Sequence, residues 1–377
     1  MKNVIYLDYS ATTKPDEKVL HHFSYLAENK FANPNSNHLL GLKTRALIEE
    51  AVSNISEFLG VDADEVIFTS GASEANNLAI KGVTLNSNRK QIITTGLEHS
   101  SVLGPIGYLQ KLGYKIDFVH LTKEGIVDIE HLQSLLSEDT LLVSIGAVDS
   151  EIGIRQPIEE IGLMLKEDPN VYFHSDITQC LGKAEIDLSY VDLASFSGHK
   201  IYCFKGIGGL IKKKKIKLLP LIHGGKSTTV FRSGTPSTEL ISSLSESFNL
   251  FKTKLEENYL YVKSLNTKLR KELAKHRNVF INSTAHSIPH ILNVSIIDVN
   301  ANDIQKYFEC QHVFISTKAA CASSVDLSKS ILALTKDPKR AASSIRISLS
   351  YKTDEEELTR FIQLFNNYME ELKHETN

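Results

Sequence analysis

The sequence predicts an α/β protein: a large domain built on a mostly parallel sheet, followed by a smaller C-terminal α+β domain. Three observations predict it. From residue 65 onward, short apolar runs alternate with helix-spaced amphipathic segments, the pattern of parallel strands covered by helices on both faces. Several runs end in small or polar clusters, such as Ser70-Gly71-Ala72-Ser73-Glu74 and His174-Ser175-Asp176, at the strand ends where open α/β sheets bind ligands. After Pro236 the alternation gives way to one long apolar stripe and then to a different strand and helix order. A chain of 377 residues, 42% hydrophobic, is long enough for one large core and a smaller one.

Taken in order, residues 4–9 are short and apolar, and Pro15 suits the first turn of a helix carrying Val19, Phe23 and Leu26 on one face. Phe31 to His38 is a loop by composition, and a second amphipathic helix runs through Leu47, Ala51, Ile55 and Leu59 to Gly60. Strands are predicted at 66–69, 91–94, 115–120, 141–148, 171–174 and 191–196, with a short one after Gly206-Ile207-Gly208-Gly209-Leu210. Helices are predicted at 75–81, through Leu103 and Leu109, and around 127–137 and 157–166. One long helix is expected after Pro236, its stripe running from Ile241 to Leu269. Strands near 278–282, 290–296, 312–316 and 344–349, a helix at 301–309 and a final helix from Thr353 complete the chain. The expected division is a large domain over 14–250, with 1–13 and 251–377 forming the smaller one.

Composition narrows the function. With 42 basic and 45 acidic residues and a net charge of -3, no global field attracts nucleic acid or anionic lipid. The run Lys212 to Lys215 reads as a solvated strand edge. No apolar segment approaches the roughly 20 residues that cross a bilayer, and Asp8 interrupts what a secretory signal would need as its apolar core. The four cysteines have neither zinc-like nor C-x-x-C spacing. That profile is expected of a cytoplasmic protein whose special cysteine, if any, is catalytic.

Ser195-Phe196-Ser197-Gly198-His199-Lys200 places a lysine just beyond a buried strand. A crowded lysine there loses its proton readily and can form an imine, although six such residues alone equally describe a polar surface loop. The other clusters supply what pyridoxal phosphate (PLP) requires. Ser70 to Glu74 opens a helix whose N–H groups suit an anion, or is an ordinary cap. His99 is a satisfied loop histidine or a ring that stacks and moves protons. Asp176 is a helix cap or the partner that keeps a pyridine nitrogen protonated, with Gln179 in reach of a phenolic oxygen.

Together S-G-A-S-E, E-H-S, D-x-T-Q, S-F-S-G-H-K, R-S-G-T and S-S-I-R-I-S, in this order, resemble the cysteine desulfurases, specifically the NifS/IscS-like branch of the class V PLP enzymes of fold type I. The resemblance runs from Tyr6 to the last helix. It implies that Lys200 holds PLP as an imine, that Asp176 pairs with the ring nitrogen, Gln179 and Ser150 with oxygen atoms at the site, and that His99 stacks on the ring. Ala72, Ser73, Ser197 and His199 are implied to surround the phosphate or its neighbours. Thr235 is implied to reach the phosphate of a partner subunit, hence a homodimer. Arg346 is implied to clamp the substrate carboxylate. Cys321 aligns with the cysteine that takes sulfur from L-cysteine as a persulfide and passes it to an acceptor protein, in iron–sulfur cluster assembly, tRNA thiolation or another sulfur pathway. Its small, polar neighbours read as a loop, against the buried inert fate commonest for a free thiol. A cation should lower its pKa, and His99 is the candidate.

Four segments depart from the family pattern. Val148-Asp149-Ser150-Glu151 stands for V-N-N-E, Cys203-Phe204-Lys205-Gly206 for G-P-K-G, His223 to Val230 for H-G-G-G-[QH]-E-R-G, and Thr317 to Cys321 for S-G-S-A-C. These changes sit at the rim, so a selenocysteine lyase, another class V PLP enzyme and a weakly active scaffold remain as alternatives. Cys321 argues against transamination, which needs no thiol.

Overall fold

The computed structural model describes residues 4–85, 87–317 and 327–375. Its strands are β1 (Ile5–Tyr6), β2 (Val66–Thr69), β3 (Gln91–Thr94), β4 (Lys115–Phe118), β5 (Thr140–Ser144), β6 (Tyr172–Asp176), β7 (Leu193–Ser197), β8 (Gly208–Lys212), β9 (Val279–Ile281), β10 (Ile291–Ile296), β11 (Val313–Phe314) and β12 (Ser344–Ser348). Seven form one sheet in the order β2-β8-β7-β6-β5-β3-β4. Only β8 runs against its neighbours, so β2 to β7 all point the same way. β5 and β7 are buried at every position, as strands sandwiched between helix layers must be.

Period-two alternation divides the side chains between the two faces. Ile93, Val143 and Phe196 enter a core with Ile48, Ile55, Ile161, Leu244 and Phe248 from the helices Leu39–Leu59, Ile158–Leu165 and Thr238–Asn249. Ile92, Leu142 and Leu193 meet Leu78, Val83, Val102 and Leu109 from Ala72–Thr84 and Ser100–Lys111. A third core joins Ile5 and Leu7 to Val262, Leu269, Val294, Ile347, Phe361 and Phe365. It lies between the antiparallel sheet β12-β10-β9, the parallel pair β1-β11 and the helices Leu255–Leu273 and Glu355–Glu375. Among the described residues no helix is long and apolar enough to cross a membrane.

Two expectations need correction. The segment after Pro236 is two helices, Thr238–Asn249 and Leu255–Leu273, not one. Its stripe serves two cores: Ile241, Leu244, Phe248 and Phe251 pack in the large one, Val262, Leu265 and Leu269 in the small one. A single straight stripe cannot face both, and the chain turns between them. The four lysines are only in part a solvated edge: Lys214 and Lys215 are exposed, whereas Lys212 is buried and Lys213 half-buried. β8 lies between β2 and β7, and Lys212, 4% exposed, donates to the carbonyls of Lys213 and Ile216 at 3.2 and 3.0 Å. Lys213 pairs with Glu65, Lys214 with Asp62 and Asp64, and Lys215 with Asp192.

At the start of β8, a Cβ on Gly208 would stand 2.4 Å from the Phe196 carbonyl oxygen and 2.7 Å from Gly71 Cα. Both are backbone, which cannot swing aside. Gly208→Ala is therefore expected to cost about 1–3 kcal/mol, read as a lower urea midpoint. It should also displace the Ser70–Ser73 turn.

Candidate active site

Because β2, β3, β5, β6 and β7 point the same way, their carboxyl ends open on one side of the sheet, and there they enclose a cavity of about 310 Å³. Ser70 to Glu74 reach it from β2, Glu98 and His99 from β3, Gly146, Val148, Asp149 and Ser150 from β5, Asp176 and Gln179 from β6, and Ser197, His199 and Lys200 from β7. Arg346 enters from β12 of the smaller sheet.

At one end is a cradle. Gly71 caps the helix Ala72–Thr84 with φ near +150°, a backbone state that favours glycine, and a Cβ there would lie 3.4 Å from Ser197 Oγ. The free N–H groups of that helix and the hydroxyls of Ser73 and Ser197 surround this corner. Glu74 accepts from Ser70 N at 2.8 Å and pairs with Arg232 at 2.9 Å; these hydrogen bonds hold its carboxyl below the usual range in spite of burial.

On the opposite wall the Asp176 carboxylate accepts from Asn76 Nδ2 at 2.8 Å and from Thr178 N at 3.0 Å. Thr178 Oγ1 is buried with no hydrogen-bond partner. Gln179 donates from Nε2 to the Ser10 carbonyl at 3.0 Å and accepts from Lys183 Nζ at 2.9 Å. Lys200 lies on the 3-10 turn Gly198–Lys200 directly after β7. His199 meets Thr12 Oγ1 at 3.1 Å, and burial together with Lys200, Lys205 and Lys183 pushes its imidazole down to about 4.

His99 Nδ1 accepts from Ser101 N at 3.1 Å, so the neutral ring carries its proton on Nε2. Burial is the largest influence on this ring; Lys200 adds to it, Asp176 opposes it, and the net effect is a pKa below the ordinary value. Burial thus works against the cationic form in which His99 is expected to lower a thiol pKa. Arg346, 1% exposed, uses its fork on Asp8 at 2.7 Å and on the Ser150 carbonyl at 2.9 Å, and its Nε has no partner. Ser150 thus presents a backbone acceptor to the arginine.

Two expected residues are not brought into this cavity. Thr235 is exposed and lies outside it. Cys321 falls outside the described residues. Conversely, sequence reasoning missed Asn76, Glu98, Asp8 and Lys183. Asn76 had a signal, an amide on the apolar face of a helix otherwise lined by Ala75, Leu78 and Ala79. Asp8 had none, since only the fold brings it to Arg346, while Lys183 stands four residues after Gln179 in the chain.

The arrangement is that of an α/β enzyme with an anion cradle, a buried carboxylate and a strand-end lysine around one cavity. The aminotransferase class-V model matches residues 5–361. The cysteine desulfurase IscS of Dictyoglomus turgidum is 35% identical, over 99% of this chain and 96% of its own. A solved NifS-like protein superposes with a TM-score of 0.91 at 32% identity, covering 98% of this chain and 99% of its own. The solved complex of SspA with cysteine has a TM-score of 0.81 at 30% identity, over 93% and all of the two chains. The chain belongs to the cysteine desulfurases of the class-V aminotransferase family.

The cofactor of this family is PLP, and the donor set fits it. Helix N–H groups and hydroxyls suit a phosphate, the Asp176 carboxylate a pyridine nitrogen, an amide N–H a phenolic oxygen, and an amine an aldehyde. The unpartnered Thr178 hydroxyl adds a polar group awaiting a ligand.

Glu98 accepts from Gly146 N at 3.1 and 3.0 Å and from Thr95 Oγ1 at 2.7 Å. Burial pushes its carboxyl up to about 8, with Asp176 and Asp149 adding to the rise. Between the ordinary value of 4.5 and this one the folded protein holds a proton that the unfolded chain releases, so this contribution to stability is lost progressively as pH rises from 4.5 to about 8. Glu98→Gln should have little effect near pH 4.5, gain on the parent progressively between pH 4.5 and about 8, and hold a constant advantage above that. Urea unfolding of the two apoproteins across that range reads the difference.

Proposed function

We propose that this protein is a PLP-dependent cysteine desulfurase that converts L-cysteine to L-alanine, takes the sulfur onto Cys321 as a persulfide and hands it to an acceptor protein. The carrying observation is the meeting of Lys200, Asp176, His99 and Arg346 around one cavity in a chain that cysteine desulfurases match from end to end. A structural neighbour solved with cysteine supports the substrate. When bound, PLP supplies an electron sink that acidifies the substrate Cα.

Lys200 Nζ would hold the cofactor until substrate displaces it and would then take the Cα proton. Asp176, itself held by Asn76 and Thr178 N, would keep the pyridine nitrogen protonated. Ala72, Ser73, Ser197 and His199 would surround the phosphate, and Gln179 would donate to the ring oxygen. His99, neutral and protonated on Nε2, would stack on the ring and deliver a proton. Arg346 would receive the substrate carboxylate through Nε or by sharing its fork with Asp8. Ser150 would lend its carbonyl to that arginine. Sulfur transfer needs the Cys321 thiolate: an S–S bond forms, the substrate Cβ–S bond breaks, and its electron pair stays with Cβ, which takes a proton to become the methyl of alanine. Thr235, exposed and apart from its own cavity, would serve the site of a second copy in a homodimer.

Purified protein with PLP, L-cysteine and a reductant should release alanine and sulfide in equal amounts. Lys200→Ala and Cys321→Ala should each fall to background, and Cys321→Ala with parental sulfide release would refute the sulfur relay. Separately, Arg346→Lys keeps the charge and loses the fork. It should raise KM for cysteine by roughly tenfold with a smaller change in kcat.

A further inference from the structure

Lys183 is the buried charge that the reaction above leaves unused. It is 7% exposed, and no carboxylate pairs with it among the described residues. The charged and titratable groups that act on it or feel it are Lys200, Arg346, His199, Cys180 and, from the start of the small sheet, His290. Most of these are cationic or neutral, and burial, its largest influence, pushes the Lys183 amine down to about 7. A methionine or leucine would fill this space without desolvating an ammonium, so packing does not account for a lysine here.

Its hydrogen bond does. Lys183 Nζ donates to Gln179 Oε1 at 2.9 Å, and Gln179 Nε2 donates to the Ser10 carbonyl at 3.0 Å. The two ends of a glutamine amide have nearly the same shape, so neighbours decide which end points where. A lysine ammonium has three N–H donors and no acceptor, its neutral form still has two N–H donors, and a carbonyl only accepts. Together they lock the amide: turning it over would set nitrogen against nitrogen and oxygen against oxygen in a buried site. The lock commits one N–H to Ser10 and leaves the other for the cavity, which Gln179 lines.

We propose that Lys183 is a positioning residue: it holds Gln179 so that the cavity is offered an N–H donor and never a carbonyl, selecting an anionic oxygen on the bound cofactor ring. The inference rests on the PLP reading of the site. An N–H donor to that oxygen favours its anionic form and resists protonation of the chromophore. The readout is the midpoint of the pH titration of the cofactor's visible absorption in the holoenzyme, with PLP retention on dialysis beside it.

Gln179→Leu should raise the midpoint by about one pH unit, the worth of one hydrogen bond to a charged group. Lys183→Met should raise it in the same direction by no more than that and weaken PLP retention. The double variant should match Gln179→Leu alone, because Lys183 acts through Gln179. An unchanged midpoint in Lys183→Met overturns the proposal, and so does full additivity in the double variant, which would mean that the charge acts on the cofactor directly. Should Lys183→Met not fold, Lys183→Arg retains a cationic donor; the parental midpoint supports the proposal, and a shift as large as that of Gln179→Leu overturns it. A parent protein that binds no PLP overturns the reading of the site itself, an outcome distinct from the others.

Discussion

The register between β6 and β7 is the constraint on which the rest of the site depends. The strands run parallel with Asp176 opposite Ser195, so the Asp176 carboxylate and the Ser197-Gly198-His199-Lys200 turn leave the sheet side by side. A slip of one residue would send every side chain of β7 to the wrong face. The pairing is held from within by His174, whose ring meets Ser144 Oγ at 2.8 Å and Ser195 Oγ at 3.0 Å, linking three neighbouring strands through one buried imidazole. Desolvation pushes that ring down to about 4, so it stays neutral and can be donor to one hydroxyl and acceptor from the other. The site is thus anchored by polar groups that the sheet itself satisfies.

The second set of constraints joins the two sheets. Arg346 belongs to β12, yet its guanidinium binds Asp8 from the segment after β1 and the Ser150 carbonyl from the loop after β5. Ser10 N bonds Ser348 Oγ at 2.9 Å, and Tyr202 N bonds Thr13 Oγ1 at 2.8 Å, so the first residues of the chain are stitched to both bodies. Burying an arginine is costly unless its hydrogen-bonding groups are met. Here both terminal nitrogens are met and Nε is not, which is the kind of incomplete satisfaction found where a ligand completes the set.

The cavity wall after β5 is unusually acidic, with consequences for the changed V-N-N-E segment. Asp149 accepts from the backbone of Glu151 and Ile152 and from Ser330 Oγ at 3.0 Å, while Glu151 accepts from Ser328 Oγ. The aspartate that replaces the family's asparagine is therefore employed in joining this loop to the helix Lys329–Thr335. Burial, and then Glu151, push its carboxyl up to about 6. Glu98, Asp149 and Asp176 share one low-dielectric neighbourhood, and they cannot all be ionised there without mutual cost.

Much of this was legible in the chain. Period-two runs marked the parallel strands, and local clusters at their ends marked Lys200, Asp176, His99 and the Ser70–Ser73 turn, because each is a short-range pattern in which neighbouring residues carry the meaning. What the tertiary structure alone decided concerns partners distant in sequence. Nothing near Asp8 announces that Arg346, 338 residues away, will bind it. The ion pairs of the lysine run from 212 to 215 could not be read locally, because Glu65, Asp62, Asp64 and Asp192 come from other segments. The break between Thr238–Asn249 and Leu255–Leu273 escaped for the same reason: helical spacing continues across it, and only the existence of two separate cores requires the chain to turn. Periodicity records which face of an element is buried. What that face is buried against depends on the rest of the chain.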